Sequence, residues 1–353
     1  MIVFLARSID MTVHLGTRRK ESEEGLALVR EAATNQLAPI VGEEPLAIYV
    51  TGSFGRLEAR FPKGSDLDLF FLYGPDGPTE QAHQIRLPQL TWFELAGEII
   101  RIARALDFEE FSRDGAFLQV HNVSHIGRQL GSQREDAENG FTARLLLLLE
   151  SRYVLNEELY EQFMEETIGF YYGDYSANEL QFRPTFLIND ILRFWRTLCL
   201  NYEYKRNRKR SEGGAKDEGA LWRAESALDN LKLRFSRLST CYSMVIALAA
   251  EPTPVRPGRV LELCRTAPTD RWSIAAENAT AAAATKAKSK VTQIVQGYEY
   301  FLELMAEEDD LLKRLASRNE RALTRSQAAD FGEVVSEFLR ATCQNDQLRT
   351  LLI

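Results

Sequence analysis

The sequence is poor in the residues that build disulfide-rich and zinc-binding proteins. Its 353 residues include only four cysteines, which lie far apart at Cys199, Cys241, Cys264 and Cys343. Because no two of them form a C-x-x-C pair, the spacing argues against a zinc knuckle and against a dense disulfide framework. We therefore predict reduced and mostly buried thiols.

Long apolar runs are also missing. The five leucines at 145–149 are bounded by Arg144 and Glu150, and this run is far too short to span a membrane. The first sixteen residues carry neither a basic leader nor a small-residue cleavage site, so they do not read as a signal peptide. These features predict a soluble, cytoplasmic protein without a membrane partner.

Positive charge is not in excess. The 43 lysines and arginines face 51 aspartates and glutamates, which gives a formal net charge of −8. A chain of this charge has no overall attraction to nucleic acid, so any such binding needs a local basic patch. The run KRNRKR at 205–210 is the candidate for RNA or an acidic partner, although a core helix with a basic end explains it as well.

What the sequence does contain falls into two regimes. Apolar and β-branched segments predict short strands, among them 46–51 and 65–73, between helical patterns. From about Ala137 onward strand signals nearly vanish, and apolar residues recur at three- and four-residue spacing. We predict an α+β fold, with a small sheet-and-helix domain at residues 1–136 followed by an all-helical domain at residues 137–353.

Two aspartates interrupt the second of these strands. Asp66 and Asp68 are two residues apart and would share one face, while Leu67 and Leu69 would face the core. Two carboxylates so close together repel each other unless a cation lies between them. Since hard oxygen ligands suit Mg²⁺ or Mn²⁺, the pair predicts a site for one of these metals. The alternative, ordinary acids on a solvated edge strand, fits poorly with the apolar neighbours.

A Gly-Ser turn directly follows the first of these strands. Gly52 lets backbone N–H groups approach a phosphate closely, and a short helix starting after Ser53 would add its positive end. We therefore predict that both residues bind nucleotide, with a plain helix N-cap as the alternative for Ser53. Arg56 and Glu58 follow, and they either pair on the surface or shape this loop.

The segment GSFGRLEARFPKGSDLDLFF resembles the polymerase-β-type nucleotidyltransferase superfamily, in which a Gly-Ser turn precedes an acid-x-acid strand. Within it, the segment is most similar to the uridylyltransferase type that modifies a nitrogen-regulatory signal protein. The resemblance is specific over residues 46–73 and weaker elsewhere. It implies that Gly52 and Ser53 hold triphosphate oxygens, while the catalytic Asp66 and Asp68 bind the metal ions.

The resemblance also implies a third carboxylate on a neighbouring strand. The predicted strand at 115–123 contains no acid, so we predict Asp114 just before it as the third catalytic residue, with Asp107 or no residue as alternatives. Asp114 precedes a glycine, and Asp-Gly is also an ordinary turn pair. Enzymes of this type often lend a lysine from the helical domain to the triphosphate, and Lys232 is the candidate. Its alternative is a cation on a solvated helix face.

These features together predict a metal-dependent nucleotidyltransferase that moves a nucleoside monophosphate from a nucleoside triphosphate to an acceptor hydroxyl. The resemblance and the acidic composition favour a protein as the acceptor. RNA, a small molecule and a second nucleotide are the alternative acceptors. A nucleotide-binding regulator without turnover is the alternative of a different class, and the missing acid on the third strand favours it.

Overall fold

The computed structural model of this protein describes residues 13–74, 86–108, 111, 115, 118–212, 218–343 and 347. The structure is α+β, with 73% helix and one small four-stranded mixed sheet. The predicted fold class is therefore confirmed at this level. The order of the two domains and their nucleotidyltransferase identity stay predictions.

The sheet has the strand order β3-β2-β1-β4. β1 pairs antiparallel with both β2 and β4, whereas β2 pairs parallel with β3. At one end of the central pair Val50 lies opposite Leu69, so the residues that follow β1 come beside those that precede β2. The strands are β1 (Leu46–Val50), β2 (Leu69–Tyr73), β3 (Val120–Asn122) and β4 (Arg152–Leu155).

Helices account for most of the described residues. A π-helical turn at Ala33–Leu37 links α1 to α2, another at Leu233–Arg237 links α11 to α12, and a 3-10 turn at Glu179–Gln181 follows α9. The helices are α1 (Val13–Ala32), α2 (Ala38–Val41), α3 (Gly52–Gly55), α4 (Gln89–Ala105), α5 (Val123–Arg128), α6 (Gln133–Ala137), α7 (Gly140–Leu149), α8 (Glu157–Gly169), α9 (Tyr175–Asn178), α10 (Thr185–Glu212), α11 (Glu218–Lys232), α12 (Leu238–Ala250), α13 (Pro257–Arg265), α14 (Pro268–Glu277), α15 (Ala284–Ala306), α16 (Glu308–Arg314) and α17 (Arg318–Thr342).

The chain forms two compact units. The sheet unit comprises Gly16–Phe182 and Val255–Ala267, and the helical unit comprises Met1–Leu15, Arg183–Pro254 and Pro268–Ile353. Residues 137–182 group with the sheet unit because β4 pairs with β1. The domain boundary that the sequence predicts after residue 136 thus falls inside the sheet unit.

β4 corrects one detail of the sequence prediction. The sequence predicts an all-helical region from residue 137 onward, but α7 ends at Leu149 and Arg152–Leu155 form a strand. A four-residue strand is too short to show a periodic pattern of its own. It becomes a strand because it completes the sheet beside β1, a contact between residues about a hundred positions apart.

Helices cover both faces of the sheet. On one face Ile48 and Phe71 join a core that includes Leu26 of α1 and Ile99 of α4. On the other face the Tyr49 hydroxyl donates a hydrogen bond to the Ala143 carbonyl of α7 at 3.2 Å. Every residue of β1 and β2 is therefore buried, as expected for strands that are covered on both sides.

The helical unit has an aromatic core. The rings of Phe235 and Phe301 stack 5.3 Å apart with an angle of 7° between their planes, and Phe331 lies 4.6 Å from Phe235. Trp272 meets Phe338 edge-on at 5.6 Å. Three of the four cysteines are buried, and Cys199 is half-buried, which confirms that these thiols are mostly buried. Among the described residues no helix is long and apolar enough to cross a membrane.

Candidate nucleotide and metal site

The Gly-Ser turn begins where β1 ends. Thr51 is extended, and Gly52 then takes φ +67°, a left-handed conformation that favours glycine. α3 starts at Gly52, so Ser53 lies inside this short helix, and its N-cap is Thr51 rather than Ser53. The expected turn is therefore present, and a glycine stands where the backbone requires one.

The structure brings Gly52 and Asp68 together. A Cβ atom at position 52 would lie only 2.8 Å from Oδ2 of Asp68. The backbone N–H of Thr51 donates to the Asp68 carbonyl at 2.9 Å, which extends the pairing of β1 with β2 by one step. The antiparallel register thus places the Asp68 carboxylate against the turn that follows β1.

Asp66 and Asp68 lie just before β2 rather than inside it, since the strand begins at Leu69. Both aspartates are half-buried, while Leu67 between them is 2% exposed and belongs to the sheet-unit core. The alternating burial agrees with the prediction that the carboxylates share a side opposite the core. The strand is shorter than the prediction of 65–73, since it begins at Leu69 and the hydrogen bond from Thr51 to Asp68 extends the pairing by one step.

The loop before Asp66 turns at a second glycine with a positive φ. Gly64 has φ +101°, and a Cβ atom there would lie 2.8 Å from the Arg60 guanidinium. The backbone N–H of Arg60 donates a hydrogen bond to the Ser65 hydroxyl at 2.9 Å. This packing places a half-buried arginine on the loop that leads to Asp66.

Arg56 and Glu58 pair, but in a buried position rather than on the surface. Arg56 Nε donates to Oε2 of Glu58 at 2.9 Å, and its Nη1 donates to Oε2 of Glu150 at 2.9 Å. The side chains of Arg56, Glu58 and Glu150 are 9%, 3% and 0% exposed. The sequence did not predict Glu150 as a partner of Arg56. The one hint in the sequence is that a carboxylate directly follows a run of five leucines.

Of the two candidates for the third carboxylate, the structure describes only Asp107. Asp114 lies outside the described residues. Asp107 is exposed and pairs with the exposed Lys63 at 3.0 Å. β3, which pairs with β2, contains no acid. Within the described residues no three His, Cys, Asp or Glu side chains are arranged to hold a metal ion, so the candidate site offers two carboxylates.

Lys232 belongs to the helical unit, whereas Gly52, Ser53, Asp66 and Asp68 belong to the sheet unit. Its ammonium group pairs with Glu308 Oε1 at 2.7 Å, and its side chain is 45% exposed. This pairing agrees with the alternative of a cation on a solvated helix face. Its contact with a triphosphate stays a prediction.

A buried histidine lies two strands away from β1. His121 on β3 is 8% exposed and stacks on Phe70 at 6.4 Å between ring centroids. Burial lowers its pKa to about 4, against a smaller raising effect of Glu138 and a further lowering by His125. His121 is therefore neutral near pH 7. His125 Nε2 lies 2.7 Å from Oε2 of Glu138, at the surface beyond the strand.

Comparisons with protein-family models, with curated proteins and with solved structures find no match to this chain. The case for a function therefore rests on the residues of the site and on their geometry.

Proposed function

We propose that this protein is a metal-dependent nucleotidyltransferase, which transfers a nucleoside monophosphate from a nucleoside triphosphate to a hydroxyl group of an acceptor protein. One observation carries the proposal: the Asp68 carboxylate lies against the backbone of Gly52, at the turn between β1 and α3. This places an anionic metal ligand beside a backbone that phosphate oxygens can approach closely. Asp66 supplies a second carboxylate two residues away.

The residues fit Mg²⁺ or Mn²⁺. A side chain at position 52 would meet Oδ2 of Asp68, so its absence leaves room beside that oxygen. Both carboxylates are half-buried, so a metal ion can reach them from solvent while the surrounding protein limits their motion. Asp66 and Asp68 would hold the cation, as hard oxygen donors do for these ions. When bound, the cation supplies charge neutralisation for the triphosphate and lowers the pKa of an attacking hydroxyl.

The chain itself binds and orients the substrate. The backbone at Gly52 and Ser53 would contact the triphosphate, since glycine allows a close approach. The half-buried Arg60 lies on the loop before Asp66, where its positive charge would favour an anionic substrate. Holding the α-phosphorus and the acceptor hydroxyl in line is a matter of positioning, which provides much of the rate in phosphoryl transfer.

The acceptor is proposed to be a protein because the chain carries a net charge of −8, which disfavours a nucleic-acid substrate. Lys205, Arg206 and Arg208 on α10 are exposed and are the part of the predicted basic run whose side chains the structure describes. Binding of RNA to these α10 side chains would replace the protein acceptor with an RNA acceptor.

A second candidate function follows from a specific observation. The third carboxylate is missing from β3, and Asp107 is engaged with Lys63 at the surface. Among the described residues the site has two carboxylates, and such a site suits a regulator that binds Mg²⁺–nucleotide without turnover as well as it suits an enzyme. Release of pyrophosphate in the presence of Mg²⁺ separates the two functions.

The test incubates the protein with each α-labelled nucleoside triphosphate in a lysate and separates protein, RNA and small-molecule fractions. We expect label in protein with the wild type and none with Asp66→Asn. Asp174→Asn is the matched control, since Asp174 is an exposed aspartate elsewhere in the sheet unit. Label that appears only in the RNA fraction would show that the acceptor is RNA and not a protein. Tight nucleotide binding with no label in any fraction would favour the regulator.

A further inference from the structure

The short helix of the candidate site rests against a distant part of the chain. A Cβ atom at Gly55, the last residue of α3, would lie 2.0 Å from the backbone carbonyl oxygen of Glu150. No side chain can occupy that space, and the obstacle is backbone rather than a flexible side chain. α3 therefore packs directly on the corner between α7 and β4.

That corner is itself firmly held. The Glu150 N–H donates to the Leu146 carbonyl at 3.0 Å, which ends α7. The Ser151 hydroxyl bonds to the Leu147 carbonyl at 2.6 Å and lies 2.7 Å from the Tyr160 hydroxyl. β4 follows at once and pairs with β1. These hydrogen bonds hold the corner in one conformation, and α3 packs on it.

Arg56 joins the helix to this support. It follows α3 directly and donates to Glu58 on one side and to Glu150, 94 residues away in sequence, on the other. A guanidinium group can donate to two carboxylates in fixed directions at once, whereas a lysine ammonium has no such planar geometry. Burial of all three side chains leaves little water to compete for these hydrogen bonds.

The segment between these contacts is short and internally bonded. The Arg56 N–H donates to the Gly52 carbonyl at 3.1 Å, and the Glu58 N–H donates to the Ser53 carbonyl at 2.8 Å. A displacement of Arg56 therefore moves the backbone of Gly52 and Ser53. These are the residues proposed to contact the triphosphate.

We infer that Arg56 is a positioning residue, which with Glu58 and Glu150 fixes the Gly52–Gly55 turn against the α7–β4 corner so that its backbone is preorganised for a triphosphate. The ligand in this inference rests on the proposed function. The positioning of the turn does not, since it follows from contacts within the sheet unit.

The sheet unit offers a matched control. Arg144 Nη2 donates to Oε2 of Glu135 at 2.9 Å, and both side chains are fully buried. This pair joins α6 to α7. Loss of one charge should destabilise the fold in either place. Arg56 directly follows the turn, whereas Glu135 and Arg144 lie on α6 and α7.

The experiment compares Arg56→Lys, Glu58→Gln and Glu135→Gln in the full-length protein. Hydrogen exchange is followed in peptides that cover residues 50–58, without nucleotide and well below the unfolding temperature. Dissociation constants for the four Mg²⁺–nucleoside triphosphates are then measured by calorimetry. Glu58→Gln retains the size of the side chain, and it tests the network by itself if Arg56→Lys does not fold.

We expect exchange at 50–58 to become at least about tenfold faster in Arg56→Lys and Glu58→Gln, because local opening sets the exchange rate. Nucleotide dissociation constants should rise by about tenfold or more in the same two variants, with Glu135→Gln unchanged in both measurements. A merely structural role would lower the unfolding temperature of all three variants. Exchange at 50–58 and nucleotide affinity would then not differ between the two network variants and Glu135→Gln.

Other outcomes separate the inference from the proposed function. Unchanged exchange at 50–58 in both network variants would overturn the positioning role, whatever the nucleotide affinity. Faster exchange with unchanged affinity would overturn the link to the triphosphate. Faster exchange in a protein whose wild type binds no nucleotide would support the positioning of the turn and reject the proposed function instead.

Discussion

The turn of the sheet unit and the aromatic core of the helical unit are held by different means. At the turn, Arg56, Glu58 and Glu150 are buried charges that satisfy one another. In the helical unit, the buried Phe235 packs on the rings of Phe301 and Phe331. Buried charges cost desolvation free energy and demand precise geometry, whereas aromatic packing is favourable by itself.

The difference indicates what each region is for. A protein that needed only a stable sheet unit could bury apolar side chains behind α3, often without loss of stability. The charged network instead fixes the directions of the hydrogen bonds behind the turn, as the proposed positioning role requires. We therefore expect substitutions of the half-buried Asp66 and Asp68 to change activity more than stability, and substitutions in the aromatic core to do the reverse.

The largest effect should come from the aspartates. Asp66→Asn or Asp68→Asn retains the shape and removes one ligand charge, so turnover measured by pyrophosphate release should fall at least ~10³-fold, about 4 kcal/mol in the barrier. The unfolding midpoint should hardly change because both residues are half-buried. Near-normal turnover in either variant, with Asp174→Asn as control, would remove these residues from the site.

The reverse case is Phe235→Ala. Phe235 is fully buried, and loss of its ring should lower the free energy of unfolding by about 3–5 kcal/mol, measured in urea. Phe186→Ala is the control, since that ring on α10 is 66% exposed and its loss should change stability little. A loss at Phe235 no larger than at Phe186 would mean that the aromatic core does not stabilise the unit.

His121 should make the protein sensitive to acid. Its pKa is about 4 in the folded state against an ordinary 6.5, so the unfolded chain binds more protons between these values. Stability is then fully present above pH 6.5 and falls as the pH drops to 4, by up to about 3 kcal/mol from this group. Urea unfolding at pH 7 and pH 4.5 measures the change.

His121→Gln cannot be protonated and should lose less stability between those pH values than the wild type. Glu299 of α15 gives a contrast, because burial raises its pKa, and its contribution to stability therefore increases as the pH falls. Equal pH dependence of the wild type and His121→Gln would show that another group is responsible.

Metal should strengthen nucleotide binding more modestly. Addition of Mg²⁺ should tighten triphosphate binding by about tenfold or more, because the cation relieves repulsion between phosphates and the two carboxylates. Calorimetric titrations with Mg²⁺ and with EDTA measure this. Asp66→Asn should show a smaller response, and identical affinities under both conditions in the wild type would argue that the carboxylates are not ligands.

The smallest effect is expected at the exposed pair of Lys63 and Asp107, whose side chains are 75% and 69% exposed. Asp107→Asn should leave the unfolding midpoint unchanged, since water and salt screen such pairs. It should also leave turnover unchanged if Asp107 is not the third carboxylate. A large loss of turnover would restore Asp107 as a catalytic candidate.

Local patterns made several features of this protein predictable. The apolar segments around residues 46–50 and 69–73 predict β1 and β2, and the spacing of Asp66 and Asp68 around the buried Leu67 predicts their shared side. The Gly-Ser turn after β1 is likewise readable from the sequence, and in the structure Gly52 has φ +67°. Each of these depends on neighbours within a few residues.

Features that depend on distant residues escaped prediction. β4 gives no strand signal over four residues and forms because the edge of β1 is open to pair with it. Asp66 and Asp68 precede β2, and the position of Asp68 beside the β1 turn follows from the register of two strands about twenty residues apart. Arg56 and Glu58 read equally well as a surface pair, since nothing near them in sequence indicates burial.

The sequence by itself thus determined the α+β class, the glycine turn and the pair of carboxylates, because period, turn chemistry and i, i+2 geometry act over short distances. Only the tertiary structure decided that the Asp68 carboxylate meets Gly52, and that Glu150, 94 positions from Arg56, completes a buried network behind the turn. The antiparallel register of β1 with β2 sets the first contact, and the pairing of β1 with β4 sets the second.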